Sequence, residues 1–139
     1  MSTSIADAPR AEPRAPWFAF LGAPAAWSVQ ELASYSLTAH ACYPMDRPLA
    51  MPSSGAAWTA TFIITVAALV VALLAFGSAV RIWGDLRRAA RTTGEEAVHD
   101  AERGAVARYL AFIGIPFGAL FSAIIVFGLV ALLVLPACG

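Results

Sequence analysis

The sequence predicts an all-α membrane protein of three transmembrane helices, with its N-terminus in the cytoplasm and its C-terminus in the periplasm. Three observations predict it. Sixty per cent of the 139 residues are hydrophobic, and the mean hydropathy is +0.72. Only 13% are charged, about half the share of a soluble domain. The apolar residues also gather in three stretches, each meeting the roughly 20 residues a helix needs to cross the hydrocarbon core. Spanning strands would alternate apolar and polar residues, and runs such as Val66-Ala67-Ala68-Leu69-Val70-Val71 do not.

The elements follow in order. Residues 1–16 form an arm rich in Ala, Pro and Arg, with no pattern that would order it. The first span, 17–41, holds one charged residue, Glu31. Ala23-Pro24-Ala25-Ala26 faintly resembles a signal-peptide cleavage site, but too short an apolar core precedes it, so an uncleaved span is expected. A loop at 42–57 carries Pro44, Pro48, Pro52 and Gly55 and reads as irregular. The second span, 58–80, has no charge. The charged segment 81–108 extends helices at both ends, with Gly94 as the break. The third span, 109–136, is uncharged and long enough to tilt. Residues 137–139 follow it. None of the connecting pieces is large enough to bury a core of its own.

Charge placement sets the orientation. All nine basic residues are arginine, as expected of a GC-rich bacterial gene. Arg81, Arg87, Arg88, Arg91, Arg103 and Arg108 lie in the second loop, Arg10 and Arg14 in the N-terminal arm, and only Arg47 in the first loop. Positively charged loops stay in the cytoplasm, which gives a multi-pass protein of the bacterial inner membrane. Trp17, Tyr43, Trp58, Trp83 and Tyr109 fall near span ends, where interfacial aromatics belong. Nine acidic residues balance the nine basic ones, so no nucleic-acid partner is expected.

Cys42 follows the first span and Cys138 the third, which places both in the oxidising compartment. Two such cysteines at matching depth are candidates for a disulfide, with two free thiols as the alternative. The first span is also the polar one. Trp27, Glu31, Ser34, Tyr35 and Thr38 recur at steps of three and four and so share a face, with Gln30 beside them. An ionisable group mid-span is costly and seldom faces lipid. Glu31 either joins helix to helix by hydrogen bonds, the favoured reading, or serves a proton path, quinone or haem of a partner. No second carboxylate, His or Lys at mid-membrane depth answers it, so its partner is expected on another polypeptide. Gly114, Gly118 and Ser122 add a small-residue ridge on the third span that allows close approach of another helix, either a partner's or one of this chain's own.

Catalytic chemistry is not expected. His40 and His99 fall on opposite sides of the membrane and cannot ligate one haem, and no nucleophile–base set is present. No cofactor or metal site is assigned to the chain alone. Haem, copper or quinone would belong to partner subunits.

The string Gly22-x-Pro24-x-x-Trp27-x-x-Gln30, then Ser34-Tyr35 and Cys42, with Pro136-Ala137-Cys138 near the other end, resembles a set of small three-helix proteobacterial membrane proteins encoded beside haem–copper terminal oxidase subunits. The likeness covers about a third of the chain. It implies a non-catalytic accessory subunit of a respiratory oxidase or related electron-transfer complex, with larger integral membrane subunits and lipids as its partners. An assembly factor for copper or haem insertion is the alternative; Cys42, Met45, Met51, Cys138 and His40 would then supply exoplasmic Cu(I) ligands. A small oligomeric transporter or channel is a third class, resting on Glu31 alone.

Overall fold

A computed structural model describes residues 15–43, 55–92, 101–135 and Cys138. It contains three helices, α1 (Ala15–Cys42), α2 (Gly55–Thr92) and α3 (Ala101–Val134), and each packs against both others. Residues 1–14 of the N-terminal arm, residues 44–54 of the proline loop with Met45, Arg47 and Met51, and Gly94 and His99 lie outside the described residues, while α1 takes in the end of the arm and α2 starts at Gly55, inside the expected loop.

α2 and α3 are long and apolar enough to cross a membrane. At ~1.5 Å per residue, the 38 residues of α2 and 34 of α3 run about 57 and 51 Å, well beyond a hydrocarbon core of roughly 30 Å. Both helices outrun the spans expected from the sequence. α2 continues through Arg81, Arg87 and Arg88, because Ile82 and Leu86 carry its inward seam onward and the intervening Arg and Leu residues favour helix. α1 meets the length, at 28 residues, but not the composition of a span. Ser28, Gln30, Glu31, Ser34, Tyr35, Ser36, Thr38 and His40 dilute its C-terminal half.

The interior is made of small side chains. Thr61, Thr65, Ala68, Ala72, Ala75 and Ala79 are buried along α2 at alternating steps of four and three. That 3.5-residue repeat keeps one seam facing its neighbours. Ala19, Ala23 and Gln30 on α1, and Ala111, Gly114, Gly118, Ser122 and Ile125 on α3, complete the packed centre. The bulky apolar residues point outward: Leu73 and Leu74 beside Ala72, and Leu120, Phe127 and Leu133 on α3, are all more than half exposed. Ile125 and Thr65 are the largest side chains fully enclosed among the described residues.

Glycines set the spacing. A Cβ added at Gly114 would lie 2.8 Å from the carbonyl oxygen of Ala19, one at Gly22 2.8 Å from the Ala75 Cβ, and one at Gly118 3.0 Å from the Phe76 Cβ. A larger residue at any of the three would require its neighbours to shift. Rings fill the space between α1 and α3: Phe20 against Phe117, and Trp27 against Phe121, at centroid distances of 5.8 and 5.4 Å.

Polar groups on the helices mostly return to their own backbone. Thr65 Oγ1 donates to the Thr61 carbonyl at 2.8 Å, Thr61 Oγ1 to Ala57 at 2.9 Å and Ser28 Oγ to Pro24 at 2.9 Å. Such back-bonds let hydroxyls sit in a helix without a partner elsewhere. Pro24 and Pro116 lie inside α1 and α3 without ending them, and each removes one backbone donor from its helix.

Candidate functional site

The polar face of α1 does not stay together. At ~100° per residue, Trp27, Gln30 and Ser34 turn toward the bundle and Glu31 and Tyr35 turn away, while Thr38, between them, is exposed and borders a small cavity shared with α2 and α3. Gln30 is buried and Trp27 and Ser34 are partly covered; Glu31 is exposed, and Tyr35 is 77% exposed. The single face expected from the spacing of three and four is thus an arc, and the bundle takes one side of it.

The inward part is left short of partners. Trp27 Nε1, Gln30 Oε1 and Ser34 Oγ are buried with no hydrogen-bond partner, and so is Ser122 Oγ on α3. Trp27 packs on Phe121, the neighbour of Ser122. The outward part has none either: among the described residues no donor or cation reaches Glu31. The carboxyl sits about 16 Å along α1 from Cys42 at ~1.5 Å per residue, near the middle of the helix. Leu32, 71% exposed, and Val29, 65% exposed, flank it, so one carboxyl stands in an apolar surface.

The ridge of Gly114, Gly118 and Ser122 faces this chain's own α1 and α2, against Ala19 and Phe76. Of the two uses that the sequence leaves open, the ridge takes the one within the bundle. Spacing alone does not distinguish the two, because a small-residue ridge serves either purpose. Ala68, Ala72, Ala75 and Ala79, which sequence reasoning misses, form the matching seam on α2. Their 4-3-4 spacing is the available signal, masked by the high alanine content of the chain.

The two cysteines come together. Cys42 ends α1 and Cys138 lies just beyond α3, and they form a disulfide with their Cα atoms 5.5 Å apart. Trp58 Nε1 donates to the Leu132 carbonyl at 3.4 Å, joining α2 to α3 near the same end. A cavity of about 20 Å³ lies beneath, lined by Thr38, Ala41, Cys42, Trp58 and Thr61 among others. It has room for about one water molecule. His40 Nδ1 lies 3.0 Å from the Ser36 carbonyl on its own helix. Among the described residues no group of three His, Cys, Asp or Glu is placed to hold a metal ion.

At the opposite end of α2, Arg87 lies over the Trp83 ring, 5.1 Å from its centroid, and Trp83 packs on Phe112 of α3. Arg88 and Asp85 pair at 3.6 Å on the open surface, an arrangement that contributes little to stability.

The chain matches no protein-family model, no curated protein and no solved structure.

Proposed function

We propose that the chain is an integral protein of the bacterial inner membrane, crossing it three times, and that it serves as a non-catalytic accessory subunit of a larger membrane complex. Two features support membrane residence. Only 28% and 17% of the apolar windows of α2 and α3 are buried within the chain, whereas the core helix of a soluble protein is mostly covered. The packing is also inverted relative to a soluble bundle, with alanine and glycine inside and leucine and phenylalanine outside. Helices in lipid associate through close contact of small residues, since the surrounding tails already solvate large ones. The arginines on the extensions of α2 and α3 favour a cytoplasmic second loop and N-terminus, which leaves the disulfide end in the periplasm.

The observation that carries the accessory role is the exposed Glu31 at the midpoint of α1. A carboxyl at that depth costs several kcal/mol unless it is answered, and nothing described in this chain answers it. A partner subunit supplies the answer most economically. The resemblance of α1 to small membrane proteins encoded with haem–copper oxidases points to a terminal oxidase as that partner, with any haem, copper or quinone held there. The disulfide weighs against the copper-carrying alternative, because a bonded pair offers no thiolates.

Extraction of the native membrane in mild detergent, followed by quantitative mass spectrometry of what copurifies, tests this. A stoichiometric oxidase core is the expected result. Substoichiometric capture with apo-oxidase would favour the assembly role instead, and a homo-oligomer without a partner would refute both.

A further inference from the structure

The accessory reading leaves open how the partner is recognised, and the surroundings of Glu31 narrow it. We propose that the outer face of α1, formed by Val29, Glu31, Leu32 and Tyr35, docks a transmembrane helix of a different polypeptide that carries an arginine, lysine or histidine at the depth of Glu31. The inference rests on the membrane-subunit reading above.

Depth decides the identity of the partner. Thr38 and Thr61 line one cavity, so their levels along the bundle match. From that common level Glu31 is about 10 Å further in and Arg81 about 30 Å further in, at ~1.5 Å per residue. The Trp58–Leu132 hydrogen bond aligns α3 in the same way, and Arg108 falls at about the level of Arg81. His40 lies about 14 Å from Glu31 toward the disulfide end by the same rise. The described cations nearest in depth are therefore about 14 Å above or about 20 Å below the carboxyl. A second copy in the same orientation keeps every residue at its own depth, so it brings none of them closer. A two-fold axis against this face would instead set Glu31 beside its own image, because such contacts repeat the same patch on both sides. Two ionised carboxylates in a medium of low dielectric repel strongly, and such a pair could approach only by holding a proton between them. A cation on another chain is the complement that this surface lacks.

The flanking groups fit a helix seat. Leu32 and Val29 offer apolar area beside the carboxyl, and Tyr35 stands one turn away, 77% exposed, with a hydroxyl able to bond the same partner side chain. Ser28 and Ser36, also exposed, are already bonded to the Pro24 and Leu32 carbonyls and do not compete for it.

The test uses the full-length protein in its native membrane with a photo-cross-linking residue at position 32, and at position 127 of α3 as a control on another face. The expected product at position 32 joins a span of another protein that has Arg, Lys or His within one turn of the cross-link. Glu31→Leu should lower its yield roughly tenfold, as loss of a strong interhelical hydrogen bond does, and Glu31→Gln should lower it less. Formation of the Cys42–Cys138 bond reports that each variant is folded. Neutralising the partner's cation together with Glu31→Leu should restore part of the yield. Cross-linking to a second copy, to lipid alone, or to a span without a cation overturns the proposal. Capture of another subunit from position 127 but not 32 would overturn the α1 seat while leaving the accessory role standing. Capture of no protein from either position would remove both.

Discussion

Replacement of Gly114 by alanine is the sharpest probe of the bundle, because its closest neighbour is backbone and cannot rotate aside. The new Cβ would lie 2.8 Å from the Ala19 carbonyl oxygen and 3.3 Å from its carbon. Ordinary contact begins near 3.4 Å, so α1 and α3 must part by about 0.6 Å or distort. Forced overpacking costs about 1–3 kcal/mol, and the gain in helix propensity on removing a glycine returns up to about 1 kcal/mol. With the full return, the net expectation is a loss of about 0–2 kcal/mol. Gly77 and Gly128 are helical glycines at which an added Cβ would meet nothing within 4 Å, so the same change there should stabilise by about 0.5–1 kcal/mol. Reversible unfolding of the purified, oxidised protein in mixed micelles, followed by tryptophan fluorescence, measures the contrast. All variants keep the disulfide, so its contribution cancels. Gly114→Ala as stable as Gly77→Ala would refute the close approach of α1 to α3.

Other substitutions test separate features. Cys42→Ser removes a cross-link between positions 96 apart; the soluble-chain limit for such a loop is about 4.7 kcal/mol, and the loss here should be smaller because helices already restrain the chain. A wild-type protein with no reducible intrachain bond on a non-reducing gel would contradict the pairing. Ala72→Leu enlarges a fully buried seam position and should cost at least about 1–3 kcal/mol, whereas Leu73→Ala, at a site 51% exposed, should shift stability in the same micelles by less than about 0.5 kcal/mol; equal effects would contradict the inverted packing. Ser122→Ala deletes a buried hydroxyl without a partner and should be neutral or stabilising by about 1 kcal/mol. A clear loss in thermal stability would mean that this oxygen is satisfied by water.

The helices are legible in the sequence because membrane-length apolar runs have few other uses, and the pairing of Cys42 with Cys138 because two antiparallel helices lie between them and return the chain to the same end. Direction around the helix axis is not legible. Steps of three and four put Trp27, Glu31 and Thr38 within one arc, yet only the neighbours decide where that arc is cut, and the bundle covers Gln30 while leaving Glu31 outside. The same blindness applies to Gly114, Gly118 and Ser122, whose spacing suits a foreign helix and their own α1 and α2 equally. The extensions of α2 and α3 are legible as helix, but not their packing, because charge rises abruptly at Arg81 although Ile82 and Leu86, partly buried, continue the spacing of the seam. α1 reads as a span from its length and falls short on composition, because its polar residues concentrate in its C-terminal half.

The link between Cys42 and Cys138 also orders events in time. Cys138 is made after every residue of α3, so the latch closes only when the last helix is in place. Until then α1, the least apolar of the three, is held by the fit of Gly22 against Ala75 of α2. Once closed, the bond ties the helix most prone to slip away to the end of one of the two most securely apolar helices. Oxidation thereby becomes a record of completed packing, and a chain whose α3 packs the wrong way round sets its two sulfurs at opposite ends of the bundle, marked as unfinished by their free thiols.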